Sequence, residues 1–290
     1  MSRHADQDLM GAAPARHLPE TAWGRRRIEW GARTYIMGII NMTDDSFSGD
    51  GLGMAAEDAV AQARRFVDEG ADILDIGGES TRPGYAAVDA AEETRRVVPA
   101  IAAIAAAVSA PLSVDTRKLE VARAALDAGA CIINNVDAIL DGGEMFQLAA
   151  ERRVPVVIMH NKGAAVYDDL IAEVLAALSD ACRAATFAGV PAAHQIVDPG
   201  IGFGKTGAHN LLLLRRLGEL RALDRPVLVG PSRKRFLGAL LGTEANDRLE
   251  GTAAAVALAI AGGADLVRVH DVHAMARVAR VADAICRGRT

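Results

Sequence analysis

The stretch "EGADILDIGG" (69–78) decides the fold. It opens with a Gly-Ala pair that stops a helix, runs through an almost wholly apolar strand at 73–76, and leaves through two glycines. The same phrase returns as "AGACIINNV" (128–136) and as "GGADLVRVH" (262–270). A strand that is apolar on both faces belongs to a parallel sheet covered by helices. Working outward, β-branched runs at 35–40, 112–114, 156–159, 195–197 and 227–229 join 73–76, 132–133 and 266–269 to make eight strands. Helix-like segments at 55–69, 92–108, 119–128, 145–152, 169–188, 210–220, 246–261 and 272–285 alternate with them. Eight strand–helix units over about 250 residues are the count of an α/β chain folded as a (β/α)8 TIM barrel. A doubly wound open sheet is the rival that alternation alone allows. A short N-terminal β-hairpin, expected over 27–35, would close the bottom of the barrel. Residues 1–24 read as a flexible N-terminal leader and 25–290 as the barrel domain.

Composition narrows the function classes. The chain has 290 residues, 51% hydrophobic and 24% charged, close to the globular average and far from a disordered or fibrous composition. No apolar run approaches the roughly 18–20 residues of a membrane span. Charges scattered through the first 22 residues, with no apolar core, argue against a secretory signal. Three widely spaced cysteines (Cys131, Cys182, Cys286) without a CxxC fit reduced thiols in a cytoplasmic location rather than a disulfide or zinc scaffold. A net charge of −5 gives no basic footprint for nucleic acid. Of 32 basic residues only four are lysine (Lys118, Lys162, Lys205 and Lys234), so each is a candidate for a specific task.

Each expected strand runs into a polar or charged group: Asn41, Gly77-Gly78-Glu79, Asp115, Asn134, His160, Asp198, Ser232-Arg233-Lys234, and Arg268 through His270. In a parallel barrel these ends converge on one mouth, where active sites are built. Loop starts are polar in general. That rule accounts for one or two such residues, but not for this whole set emerging directly from apolar runs.

These residues carry a resemblance. "GIINMTDDSFSGDG" (38–51), "DIGGESTRPG" (75–84), "SVDTRK" (113–118), "IINNV" (132–136), "DPGIGFGK" (198–205), "VGPSRKRFLG" (229–238) and "RVHDV" (268–272) resemble, in order, the motif series of the dihydropteroate synthase family of pterin-binding enzymes. The resemblance spans 38–272. It implies a folate-pathway transferase that joins 6-hydroxymethyl-7,8-dihydropterin diphosphate to 4-aminobenzoate, releasing pyrophosphate and forming 7,8-dihydropteroate. It also implies Mg²⁺ as cofactor, the two small molecules as partners, and a homodimer built on the outer helices.

The chemistry suits the residues. A pterin presents two N–H donors beside a carbonyl, and a buried carboxylate can accept both through charge-assisted bonds of roughly 1.5–3 kcal/mol each. By resemblance Asp198 is that carboxylate, with Asp115 and Asn134 completing the rim. Taken alone, Asp198 before Pro199 would only cap a turn. Arg268 and His270, two apart on a strand, face one side; by resemblance Arg268 flanks the pterin and His270 meets the diphosphate. Asn41 matches the position whose amide oxygen helps hold Mg²⁺, which keeps phosphate oxygens and waters as its other ligands. By resemblance Lys234 bonds the pterin and walls the aminobenzoate pocket, Phe203 lends that pocket an apolar surface, and Thr81, Arg82 and Pro83 order the diphosphate and second substrate. Lys234, Arg268 and His270 are the catalytic candidates, acting by positioning and electrostatics without a covalent nucleophile. Replacing Lys234 or Arg268 by alanine is expected to abolish turnover with the fold intact.

"GFGKTG" (202–207) matches a dinucleotide-binding GxGxxG, but it follows the sixth strand, not the first. It also nearly matches a P-loop, whose first glycine would fall on Pro199. Three positions depart from the family pattern: Asp44 where proline is usual, Asn135 where aspartate is common, and Arg235 where some members carry serine. Asn135 would remove a charge beside the site, and Arg235 would strengthen binding of the aminobenzoate carboxylate. The rival readings are a methyltetrahydrofolate–corrinoid methyltransferase, which has no need of the "ESTRPG" and "SRK" groups, and a non-catalytic pterin-binding paralogue.

Overall fold

The computed structural model describes residues 18–42, 56–79, 88–140 and 143–288. It opens on an antiparallel hairpin, β1 (Thr21–Trp23) and β2 (Arg26–Ile28). Eight parallel strands follow: β3 (Tyr35–Asn41), β4 (Ile73–Gly77), β5 (Leu112–Asp115), β6 (Ile132–Asn135), β7 (Val156–Met159), β8 (Gln195–Asp198), β9 (Leu228–Val229) and β10 (Leu266–Val269). Their spatial order is β8-β7-β6-β5-β4-β3-β10-β9. A parallel bridge between Val197 and Val227 joins the two ends, and the Val197 N–H donates to Pro226 O at 2.9 Å. The open-sheet rival is thereby removed, and the protein is a TIM barrel.

Alternation sorts the strand residues into two cores. Inward-facing Met37, Ile73, Ile132, Val157, Ile196, Leu228 and Leu266 form an apolar floor inside the ring, each wholly out of solvent. Outward-facing Leu74, Ile76, Val114, Ile133, Ile158, Val197, Val229 and Val267 pack beneath the helices, against residues such as Phe66, Ile101 and Leu178. The helices are α1 (Ala56–Asp68), α2 (Ala90–Ala107), α3 (Leu119–Asp127), α4 (Glu144–Arg152), α5 (Leu170–Phe187), α6 (Gly207–Arg215), α7 (Arg235–Leu241), α8 (Leu249–Ala261) and α9 (Val272–Arg287). None of the helices among the described residues is long and apolar enough to cross a membrane.

Two expectations are corrected. The hairpin lies at 21–28, ahead of the expected 27–35, so Thr21–Trp23 form a strand within the stretch read as leader. Trp23, Ile28 and Trp30 plug the bottom of the ring against Tyr35, Met37 and Cys131. Trp30 Nε1 donates to Thr21 Oγ1 at 2.7 Å, and that hydroxyl donates to Ala193 O at 2.5 Å. A three-residue strand is too short for alternation to announce it, and burial of two tryptophans on the floor decides it. Residues 1–17 of the expected leader lie outside the described residues. The second concerns the eight alternating helices expected: a further short helix, α7, stands between β9 and α8, making nine α-helices among the described residues. It ends at Gly242 (φ +69°), where the N–H groups of Gly242 and Thr243 both close on Gly238 O.

Trp30→Ala should lower unfolding stability by about 3–5 kcal/mol, measured by denaturant titration, because it opens a cavity under the whole floor. An unchanged midpoint would show that the hairpin is not the plug.

Candidate active site

Two residues beyond the floor, the same alternation changes chemistry. Ile73 is followed inward by Asp75, Ile132 by Asn134, Ile196 by Asp198 and Leu266 by Arg268. Four different strands thus place polar groups at one level, on top of an apolar layer. Arg268 Nε donates to Asp75 Oδ2 at 2.6 Å, and its Nη2 donates to Asp115 Oδ2 at 2.6 Å. Asn134 Nδ2 donates to the same Asp75 Oδ2 at 3.0 Å. Asp198 Oδ1 accepts the Gly200 N–H at 2.7 Å. Its other oxygen has no hydrogen bond to the described residues.

Burial sets the electrostatics. It pushes the Asp198 carboxyl up to about 6, against the Gly200 N–H and the charges of Lys234, Lys205 and Arg268. It pushes Asp115 up to about 7, against Arg268 and with the help of Asp75. Burial also disfavours the Arg268 guanidinium, but Asp75 and Asp115 more than offset this and raise its pKa above the ordinary value.

The rim is shaped by the segments after β8 and β9. Lys234 Nζ stands 4.1 Å from the centroid of the Phe203 ring. Gly202 (φ +85°) lies so close beneath that a Cβ there would come within 2.7 Å of Lys234 Cδ. The glycines that mimic a dinucleotide motif therefore serve close approach of this loop to its neighbours. Lys205 clips the loop by donating to His160 O at 3.1 Å and Phe203 O at 3.0 Å, with His160 Nδ1 at 3.0 Å. Burial lowers Lys205 to about 7 and His160 to about 4. Just before Lys234, Arg233 sits in the left-handed region at φ +55°. It is held there by an ion pair to Asp271, by its N–H on Thr252 Oγ1 at 3.1 Å, and by Arg248 Nη1 on its carbonyl at 2.9 Å. That over-determined turn aims Lys234 at the mouth. His270 is oriented by Ser232, whose Oγ lies 2.9 Å from Nδ1 and accepts the His270 N–H at 3.1 Å.

Asp115, Asn134, Asp198, Phe203, Lys234, Arg268 and His270 thus gather at one mouth. Asn41 ends β3, half-buried and in register with Gly77. Thr81, Arg82, Pro83 and Asp44 lie outside the described residues. Asn135 points the other way from Asn134, as alternation requires; it is fully buried, and its Oδ1 accepts the Asp137 N–H at 3.0 Å. The aspartate it replaces would not have put a charge in the mouth. Arg235 is exposed in the first turn of α7. Sequence reasoning missed Asp75, whose signal was a lone carboxylate inside an otherwise apolar strand, and the Lys205–His160 clip. All four lysines have specific contacts: Lys118 bridges Glu79 and the fully buried Glu93, and Lys162 pairs with Glu173 at 2.6 Å.

The comparisons settle the family. The pterin binding enzyme family model matches residues 37–270, from β3 through His270. The dihydropteroate synthase of Synechocystis sp. is 44% identical over 93% of this chain and 96% of its own length. The chain belongs to the dihydropteroate synthase family. The family's Bacillus subtilis enzyme is 45% identical over 87% of this chain and 89% of its own. Among solved members, Xanthomonas albilineans dihydropteroate synthase with 4-aminobenzoic acid superposes with a TM-score of 0.87 at 47% identity, covering 92% of this chain and 98% of that one. The Thermus thermophilus enzyme in complex with 6HMPPP gives 0.79 at 43% identity, covering 90% and 97%.

The raised carboxyls of this dihydropteroate synthase family member predict a trade-off. Burial holds the Asp198 carboxyl at about 6 in the folded chain against 3.8 by default, so between those values the unfolded chain sheds its proton first and stability falls. Asp198→Asn should therefore gain on wild type as pH rises from about 4 to about 6, by at most about 3 kcal/mol in all and with no further gain above about pH 7. Unfolding curves at about pH 4 and pH 7 test it, and an equal gap at both would contradict it.

Proposed function

We infer that this chain is a dihydropteroate synthase, joining 6-hydroxymethyl-7,8-dihydropterin diphosphate to 4-aminobenzoate with release of pyrophosphate and formation of 7,8-dihydropteroate. The observation that carries this reading is the acidic layer of Asp115, Asn134 and Asp198 inside the barrel beside the cationic rim of Arg268 and Lys234. Relatives solved with 4-aminobenzoic acid and with 6HMPPP support the same pair of substrates.

In this reading the unengaged oxygen of Asp198 accepts the N–H donors of the pterin edge, as Asn134 and Asp115 complete its recognition. A heterocycle lacking those donors leaves a buried carboxylate unpaired and is rejected. Arg268, already charged between two carboxylates, flanks the ring. Lys234 stands where it bonds the pterin on one side and, with Phe203, walls the aminobenzoate on the other. His270, fixed by Ser232, meets the diphosphate, and Thr81, Arg82 and Pro83 order it together with the second substrate. The exocyclic C–O bond to the diphosphate breaks and the aniline nitrogen forms the new C–N bond, losing its proton. The electron-rich dihydropterin can carry the positive charge that develops, so the protein positions and shields and forms no covalent intermediate.

Asn41, half-buried at the end of β3, carries a neutral amide oxygen of the kind that would hold a Mg²⁺ arriving with the diphosphate, with phosphate oxygens and waters as its other ligands. Bound there, Mg²⁺ would neutralise diphosphate charge and ease its departure. Apolar side chains exposed on the later helices, Leu258 of α8 and Val281 and Ile285 of α9, support self-association as a homodimer. The cytoplasm, where such thiols stay reduced, is the proposed location.

The Lys234–Phe203 contact favours the synthase over a corrinoid methyltransferase or a silent paralogue, since neither needs an aminobenzoate wall. Purified protein should release pyrophosphate only when both substrates and Mg²⁺ are present. Lys234→Ala should cut that release by about 100-fold or more with the melting temperature unchanged; full release from the variant would defeat the assignment. Arg268→Ala should lose activity too, but not with the fold untouched. Its removal strands two buried carboxylates, at about 3–5 kcal/mol, a cost that the sequence-based expectation of an intact fold did not include.

A further inference from the structure

We propose that Asp75, which lies beneath the substrate-facing groups, is a positioning residue that aims both Arg268 and Asn134 at the pterin through a single oxygen atom. The inference rests on the synthase reading and extends it to a residue below the rim.

Asp75 is wholly buried in the middle of β4. Its Oδ2 receives Arg268 Nε at 2.6 Å and Asn134 Nδ2 at 3.0 Å. Its Oδ1 is buried without a partner, and so is Oγ of Ser113, its register neighbour on β5. All of the hydrogen bonding that compensates this carboxylate therefore goes to two groups of the site. The consequence for Asn134 is directional. An amide facing a carboxylate must turn its NH₂ toward it, so the carbonyl oxygen is what remains for a ligand, and an acceptor is what a donor-edged heterocycle needs. For Arg268, the Nε bond to Asp75 and the Nη2 bond to Asp115 at 2.6 Å fix the guanidinium plane at two points. Loss of one bond leaves a plane hinged on the other. A floor of isoleucine and leucine below offers no alternative acceptor.

Because the role is one of geometry, it separates from a role of charge. In Asp75→Asn a single oxygen can still accept both bonds, and the new amino group takes the place of the unpartnered Oδ1 on the strand beside Ser113. In Asp75→Val no acceptor remains. Binding of the pterin diphosphate is read by calorimetry, with kcat and the KM of each substrate from pyrophosphate release. Asp75→Val is expected to weaken pterin binding about 100-fold, the loss typical of misplaced site groups, while the KM for 4-aminobenzoate stays within about twofold. Asp75→Asn should stay within about fivefold of wild type for both. Equal pterin affinity in Asp75→Val and wild type overturns the proposal, as does an Asp75→Asn variant as weak as Asp75→Val. If Asp75→Val does not fold, Asp75→Ala decides, since it removes the acceptor and leaves room for water. Pterin affinity at least about tenfold below that of Asp75→Asn supports the assignment, and equal affinity in the two variants overturns it. Failure of wild type itself to bind the pterin diphosphate would defeat the synthase reading and this inference together. Wild-type binding with an unaffected Asp75→Val would defeat this inference alone.

Discussion

A guanidinium held between two carboxylates inside a closed ring of strands is the constraint on which this molecule turns. Arg268 could not remain charged in that interior alone, since burying a single ion costs several kcal/mol. Asp75 and Asp115 reach it from β4 and β5, across β3. The three are a unit: removing the arginine leaves two buried carboxylates without a cation, and removing either carboxylate takes away one of the two bonds that fix the guanidinium plane. Asn134 is tied to the same unit through Asp75. The geometry of the acidic layer is therefore locked before any substrate arrives, which is what a site working by preorganised electrostatics requires.

The floor beneath that unit makes the electrostatics consequential. Seven inward aliphatic and methionine side chains, sealed from below by Trp23 and Trp30, keep water out of the ring. The carboxyls above consequently titrate near neutrality, Asp198 at about 6 and Asp115 at about 7. Groups so placed are poised to respond to a ligand's donors, and they do so at the expense of folding stability. The rim has a different character. There the backbone is forced: Gly202 lets Lys234 lie against the loop, the Lys205 clip holds that loop to His160, and the left-handed Arg233 turns the chain so that Lys234 faces inward.

Much of this was legible in the chain. Doubly apolar strands bracketed by Gly-Ala stops announce a parallel, helix-covered sheet, and their number closes it. The polar residue beyond each strand locates the mouth. What escaped was whatever depends on partners distant in sequence. Asp75 stood inside the apolar strand 73–76 with no role assigned, because nothing local says that a carboxylate in β4 meets an arginine 193 residues away. Asn135 looked like a loss of charge in the site until alternation on β6 sent it to the opposite face. The hairpin was misplaced because three-residue strands carry no period of their own. α7 was overlooked because its helix is short and its Gly238 is a poor helix former, tolerated there because the Arg248 side chain packs against it.

By itself, then, the order of residues determined the repeating unit, the closure into eight, and the end of the barrel at which chemistry gathers, since period and strand polarity are local properties. The tertiary structure alone decided which gathered groups touch one another, which way each amide and guanidinium faces, and how far burial moves each carboxyl. Those depend on distances between strands that the chain visits far apart, and on the exclusion of water that only a closed and plugged ring achieves.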